Sequence, residues 1–186
     1  MADGTFAVIL AILSYGDLKG PDCGAQEFCL PPKTYESARL SIAAGPVVPR
    51  IAEDGTEIYL RYDPAIRYGS IGTAFGLSVG NEGEIWAGAG VTYDVWINSK
   101  TFAQLHFMPG GHMPGDGFDL GGPIAFRSGI ELGFETTQGW RIGISYDHMS
   151  NGFLYSRNPG IETVQLRVSL PLGPSTSNLS RGGGVE

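Results

Sequence analysis

From Ala38 onward the chain alternates apolar and polar side chains with a period of two. Ala38, Leu40, Ile42 and Ala44 oppose Arg39 and Ser41. Ile85, Ala87, Ala89, Val91, Tyr93 and Val95 oppose Glu84, Gly88, Gly90 and Asp94. Ile124, Phe126, Ile130, Leu132 and Phe134 oppose Arg127, Glu131 and Glu135. A period of two belongs to extended backbone, in which successive side chains leave opposite faces. The pattern predicts eight strands, over 36–46, 56–67, 70–80, 84–97, 101–109, 123–136, 139–150 and 161–172. Glu53-Asp54-Gly55, Asn81-Glu82-Gly83, Asn98-Ser99-Lys100 and Gln138-Gly139 read as turns between them. Residues 109–122, rich in Gly and Pro, read as a loop.

Two architectures satisfy this alternation. A soluble sandwich buries its apolar face and wets the charged one. A transmembrane barrel turns the apolar face to lipid and pairs Arg39, Arg61, Arg127, Glu131, Arg141 and Arg167 inside. Strands of 10–12 residues suit a tilted membrane strand better than the ~5–6 residues usual in soluble sheets. Alternation alone leaves both open; strand count and length favour an all-β fold of the second kind, an eight-stranded antiparallel transmembrane β-barrel with a non-barrel N-terminal segment. Its divisions are a lead-in over 1–35, a barrel over 36–172 and a polar tail over 173–186.

Composition changes this picture little. Twenty-nine glycines, 17% charged residues and 42% apolar residues fit a turn-rich β-protein whose two faces cancel in the average. No run reaches the ~18–20 apolar residues of a spanning helix. A net charge of −7 without a basic stripe argues against nucleic acid as a partner. Cys23 and Cys29 lack further Cys or His at zinc spacing, and a small-loop disulfide is the preferred reading, with free thiols the alternative. Phe6 to Leu13 looks like a short signal-peptide core without a positive n-region; it reads as a processed end, an altered start or a docking segment.

Candidate chemistry concentrates at Tyr146-Asp147-His148-Met149-Ser150-Asn151-Gly152 and Asn158-Pro159-Gly160-Ile161-Glu162. On one strand, His148 and Ser150 share a face at i, i+2. A hairpin centred near Tyr155 sets Glu162 opposite His148, and cross-strand neighbours lie about 4.5–5.5 Å apart. Nucleophilic acyl transfer needs this grouping: a base to take the serine proton and a carboxylate to orient the base. Asn151, Asn158 or the Gly152 amide could supply the oxyanion donors. His-x-Ser alone is common; the carboxylate on the matching face of the partner strand gives it weight. Asp147 adjoins His148 but points the other way, which favours Glu162 as the acid.

Across these two segments the sequence resembles the lipid A 3-O-deacylases known as PagL. Their pattern is His-x-Ser-Asn-(Ala/Gly), an Asn-Pro-Gly turn and a Glu twelve residues after the serine, and the resemblance covers residues 120–172. It implies an eight-stranded barrel of the bacterial outer membrane. It also implies an ester hydrolase that removes the 3-O-linked acyl chain of lipid A in lipopolysaccharide. Carried over residue by residue, Ser150 is the nucleophile, His148 the general base and later acid, and Glu162 the orienting carboxylate. Asn151, Gly152 and Asn158 are the oxyanion candidates, with no metal and no cofactor. The expected partners are lipid A and membrane lipid, with room for a homodimer or a membrane-complex partner.

Other residues take quieter readings. His106 reads as an interior hydrogen-bonding residue, and His112, near Asp116 and Asp119, as part of a solvated loop rather than a metal site. Trp86, Trp96, Trp140, Tyr93 and Tyr146 divide between interfacial girdles and ordinary packing. Two alternatives to the enzyme remain. One is a structural barrel subunit of an outer-membrane assembly, docking through Met1–Lys33 and Ser175–Glu186. The other is a soluble lipid-binding barrel with its apolar face inside.

Overall fold

The computed structural model describes residues 4–19, 31, 33–49 and 55–173; Cys23, Cys29 and the polar tail lie outside the described residues. The strands are β1 (Lys33–Tyr35), β2 (Ala38–Pro49), β3 (Gly55–Asp63), β4 (Ile66–Tyr68), β5 (Ile71–Gly80), β6 (Ile85–Trp96), β7 (Thr101–Met113), β8 (Ile124–Glu135), β9 (Arg141–Ser150) and β10 (Ile161–Leu172). One helix, α1 (Thr5–Leu18), precedes them. The eight long strands pair antiparallel in the order β3-β2-β10-β9-β8-β7-β6-β5, and β5 pairs back onto β3, closing the ring. The short β1 and β4 pair with each other, and β4 joins the ring through Tyr68 and Ile71.

Closure decides which face lies inside. An eight-stranded barrel has an interior only wide enough for side chains to fill, and here the charged face fills it. Arg127 lays its guanidinium on both Glu57 oxygens, at 2.7 and 3.1 Å, and its Nε on Asp147 at 2.8 Å. Arg167 and Arg61 share Glu131 at 3.2 and 3.5 Å, and Arg61 also reaches Asp63 at 3.1 Å. Arg141 bridges Glu135 at 2.8 Å and Asp94 at 3.1 Å; Arg67 completes Asp94 at 3.3 Å, and Arg39 approaches Glu135 at 3.7 Å. Removing Arg127 would leave the buried Glu57 without its cation, at a cost of about 3–5 kcal/mol. His106 joins this interior, with its Nε2 3.6 Å from Asp147.

Toward one end the charges give way to an apolar plug of Tyr59, Trp86, Met108, Leu120, Met149 and Ile161. The turns at this end are the longer ones, 114–123 and 151–160, and we call it the loop end; 97–100 and 136–140 close the opposite, turn end. Outside the ring, Leu40, Ile42, Ile58, Leu60, Phe75, Leu77, Leu132, Ile144 and Leu166 are exposed side by side. A continuous apolar belt of this kind needs lipid against it, because water-soluble monomers rarely expose apolar patches beyond a few hundred Å². The inverted barrel, with its apolar face inside, is therefore not what this chain forms.

Three expectations need correction. The predicted loop at 109–122 begins later, because β7 continues to Met113, with Gly110 and Gly111 paired to Ala125 and Ile124. Gly110 serves close approach rather than a turn: a Cβ there would sit 2.7 Å from the Trp86 ring. His112 is accordingly a buried strand residue opposite Trp86, not part of a solvated loop. Of the five aromatics weighed as girdle residues, Trp86 is 1% exposed inside the plug, and Trp96 packs inside against Phe102 and Arg141. Tyr93 and Tyr146 lie under α1, so only Trp140 stands exposed, beside the turn that links β8 to β9.

Candidate active site

The register of β9 and β10 puts Glu162 directly across from His148 and Ile161 across from Met149. On the other flank, Ser128 of β8 faces His148 and Phe126 faces Ser150. His148, Ser150 and Glu162 thus share the outward face at the loop end of the barrel. Outward does not mean bare, however. His148 is 3% exposed and Ser150 8%, and the Glu162 side chain keeps 21%. His148 and Ser150 line a cavity of about 270 Å³ whose walls also include Gly4, Phe107, Phe126, Ser128, Gly152, Phe153 and Asn158, while Glu162 lies across from His148 on β10.

Imidazole Nδ1 lies 3.9 Å from Glu162 Oε1, an ion-pair distance that must shorten by about 1 Å to become a hydrogen bond. Such contacts commonly tighten only around substrate. Asp147 is taken up on the opposite face by Arg127, at 2.7 Å, and by Arg167, at 3.8 Å. Among the acids weighed from the sequence, Glu162 is the one that shares a face with His148.

The loop from 151 to 160 holds the rest of the cavity in place. Asn158 Oδ1 accepts from the Asn151 amide at 2.9 Å, and Asn151 Nδ2 donates to the carbonyl oxygens of Leu120 and Arg157. The fully buried Asn151 side chain therefore ties the two long turns together, and its amide group is not aimed at the cavity as an oxyanion donor. Gly152 and Asn158 do line the cavity. Gly152 and Phe153 are both left-handed, with φ of 61° and 62°. A non-glycine residue there stores strain of the kind that clusters at working sites. Gly160 is left-handed too, with φ of 64°, and sits so close to the imidazole that a Cβ would lie 3.0 Å from His148 Cε1.

Sequence reasoning missed Ser128, the parallel Phe107–Phe126 pair with centroids 5.7 Å apart, and Phe153. Ser128 had a legible signal, since it is a polar break in the apolar run Ile124, Phe126, Ile130, Leu132. No cluster of three or more His, Cys, Asp or Glu able to hold a metal occurs among the described residues.

Fold and site together define a membrane-spanning eight-stranded barrel that carries a serine, a histidine and a carboxylate on its lipid side. Comparison with known proteins points the same way. The family model for lipid A 3-O-deacylase (PagL) matches residues 96–171. The chain is 31% identical over 81 residues to the lipid A deacylase PagL of Bordetella bronchiseptica, which covers 44% of this chain and 41% of that protein. It thus spans about two-fifths of the curated relative it matches.

Solved structures share the fold. The crystal structure of the outer membrane enzyme PagL superposes with a TM-score of 0.57 at 19% identity, over 72% of this chain and 99% of the other. Neisserial surface protein A gives 0.54 at 10% identity, over 75% and 99%. A designed transmembrane β-barrel gives 0.54 at 7% identity, over 73% and 94%. The chain is PagL-like in its fold and in the sequence of its last strands, as its histidine–serine and Asn-Pro-Gly segments led one to expect.

Proposed function

We propose that this chain is a lipid A 3-O-deacylase of the bacterial outer membrane. The observation that carries the reading is that Ser150 and His148 line one cavity on the lipid-facing side, at the end of the barrel with the longer loops, with Glu162 across from His148 on the next strand. Outer-membrane barrels turn their longer loops outward from the cell, which puts the site level with the leaflet that holds lipopolysaccharide. Support comes from the deacylase family model over 96–171 and from the identity to a named deacylase.

The chemistry follows from the side chains. His148 takes the Ser150 proton as Oγ attacks the carbonyl carbon of the ester at position 3 of the sugar. The negative charge moves to the carbonyl oxygen, where the Gly152 N–H and the Asn158 side-chain amide are the donors best placed to meet it. As the tetrahedral centre collapses, the bond to the sugar oxygen breaks. His148 then returns its proton to that oxygen, leaving an acylated Ser150. Water, deprotonated by His148, attacks the acyl-serine and frees the fatty acid. Glu162 holds the imidazole tautomer and stabilises the imidazolium formed in both halves. No step calls on a metal or a cofactor.

The test is release of 3-hydroxy fatty acid from lipid A by the purified, detergent-solubilised protein, alongside His148→Ala. Release by the wild type and its loss in the variant support the assignment. No release from a folded wild type, on several lipid A types, would move the reading to a structural barrel subunit. Of the docking segments that alternative calls on, Ser175–Glu186 lies outside the described residues, and of Met1–Lys33 residues 4–19, 31 and 33 are described.

A further inference from the structure

The run from Phe6 to Leu13 forms α1, which lies on the outside of the barrel across β6, β7 and β8. Leu10 is buried against Tyr93 and Leu105, and Phe6 and Leu13 pack beside it. The Phe6 ring meets Tyr146 edge-on, with centroids 5.8 Å apart at 61°. At the other end of the helix, the Tyr93 hydroxyl donates to Asp17 at 3.1 Å. Val8, Ile9, Ile12 and Tyr15 face away from the barrel and are exposed. A helix apolar on all sides belongs in an apolar medium. Fourteen residues give about 21 Å, close to the ~25 Å apolar band of such barrels. So α1 is a lipid-embedded splint running along the barrel wall, and its N-cap residue, Gly4, lines the cavity together with His148 and Ser150.

We propose that α1 is a specificity element, whose first turn forms one wall of the cleft that receives the acyl chain. The Phe107–Phe126 pair supplies apolar surface within the same cleft, and Phe153 lines it from the loop above. A chain entering sideways from the bilayer passes between barrel and helix. Phe6, wedged on Tyr146 only two residues from His148 along β9, sets how much room it finds. Cleft width of this kind discriminates by methylene count, and one methylene in an apolar pocket is worth about 10–200-fold. The proposal rests on the deacylase reading and adds a determinant outside the barrel.

The experiment compares the full-length wild type with Phe6→Ala, Gly4→Trp, Gly4→Ala and Leu13→Ala in detergent micelles. Each is read by labelling of Ser150 with a short and a long alkyl fluorophosphonate, and by the acyl chains released from mixed lipid A. Phe6→Ala should shift the long-to-short labelling ratio upward by about tenfold or more. Gly4→Trp should shift it downward, since a Cβ at Gly4 meets nothing within 4 Å and its ring can enter the cleft; Gly4→Ala carries the same strain of a side chain at φ 77° without the ring and should leave the ratio unchanged. Leu13→Ala loosens the same helix far from the cavity and should leave the ratio unchanged, so destabilising α1 alone does not imitate the effect.

Labelling of the wild type with one unchanged ratio in all variants, or an equal shift in Gly4→Trp and Gly4→Ala, would overturn the role of α1 and leave the deacylase standing. So would an intact mass showing that the protein recovered from outer membranes lacks residues 4–18. Failure of the folded wild type both to label at Ser150 and to release acyl chains would remove the deacylase reading, and this proposal with it.

Discussion

Gly160→Ala isolates the contact between the Asn-Pro-Gly turn and the imidazole. Gly160 has φ of 64°, and an added Cβ would lie 3.0 Å from His148 Cε1 and 3.7 Å from Nε2. A left-handed alanine costs about 1–2 kcal/mol, and the lower chain entropy of the unfolded state returns about 0.4–1. The expected net loss of stability is about 1 kcal/mol. Gly83→Ala is the matched control: its φ is 85°, but its Cβ would meet nothing within 4 Å. Both variants should lose similar stability in denaturant unfolding from micelles. They should part in activity. Relieving a 3.0 Å contact to an ordinary 3.4–4 Å moves the imidazole by about half an ångström. A 1 Å misplacement costs about 100-fold, so Gly160→Ala should lose roughly tenfold in kcat with little change in KM. Equal activity in the two variants would refute the placement of His148 as the base.

Three further outcomes follow from the geometry. Glu162→Gln should keep the fold and lower kcat by about 10⁴-fold, because the imidazole loses the group that fixes its tautomer; steady-state kinetics checks it. Asp147→Asn should do the reverse, weakening the barrel through Arg127 and Arg167 while sparing chemistry more than Glu162→Gln does; a pair of unfolding and activity measurements separates the two acids. Arg127→Met should destabilise by about 3–5 kcal/mol, because Glu57 loses its cation and Asp147 its nearest one, and adding Glu57→Gln should restore part of the loss.

Much of this was legible because a strand's side-chain period is two. Once the hairpin between β9 and β10 was centred near Tyr155, Glu162 could only fall opposite His148, and the structure has that pairing. The same alternation listed the interior charges correctly, since an eight-stranded ring turns Arg39, Arg61, Arg127, Arg141 and Arg167 into a lumen where each meets an acid. Where glycine carried two meanings, the sequence misled. Gly110 and Gly111 read as a turn, yet Gly110 is a strand residue cut back to admit the Trp86 ring. Asn151 looked like a donor for the oxyanion because nothing local reveals that its amide is claimed by Leu120 and Arg157, 31 and 6 residues away. The run Phe6–Leu13 had no period to read. It is apolar on every side, and its place along β6 to β8 depends on Tyr93, Leu105 and Tyr146, which come together only once the barrel closes.

The most direct measurement is the mass spectrum of lipid A after incubation with the purified wild type and with Ser150→Ala, both shown to be folded in the same micelles. The account predicts loss of one 3-hydroxyacyl group, from the 3-position alone, with the wild type and an unchanged spectrum with the variant. Deacylation that survives Ser150→Ala would contradict the nucleophile, and unchanged lipid A with both would contradict the activity.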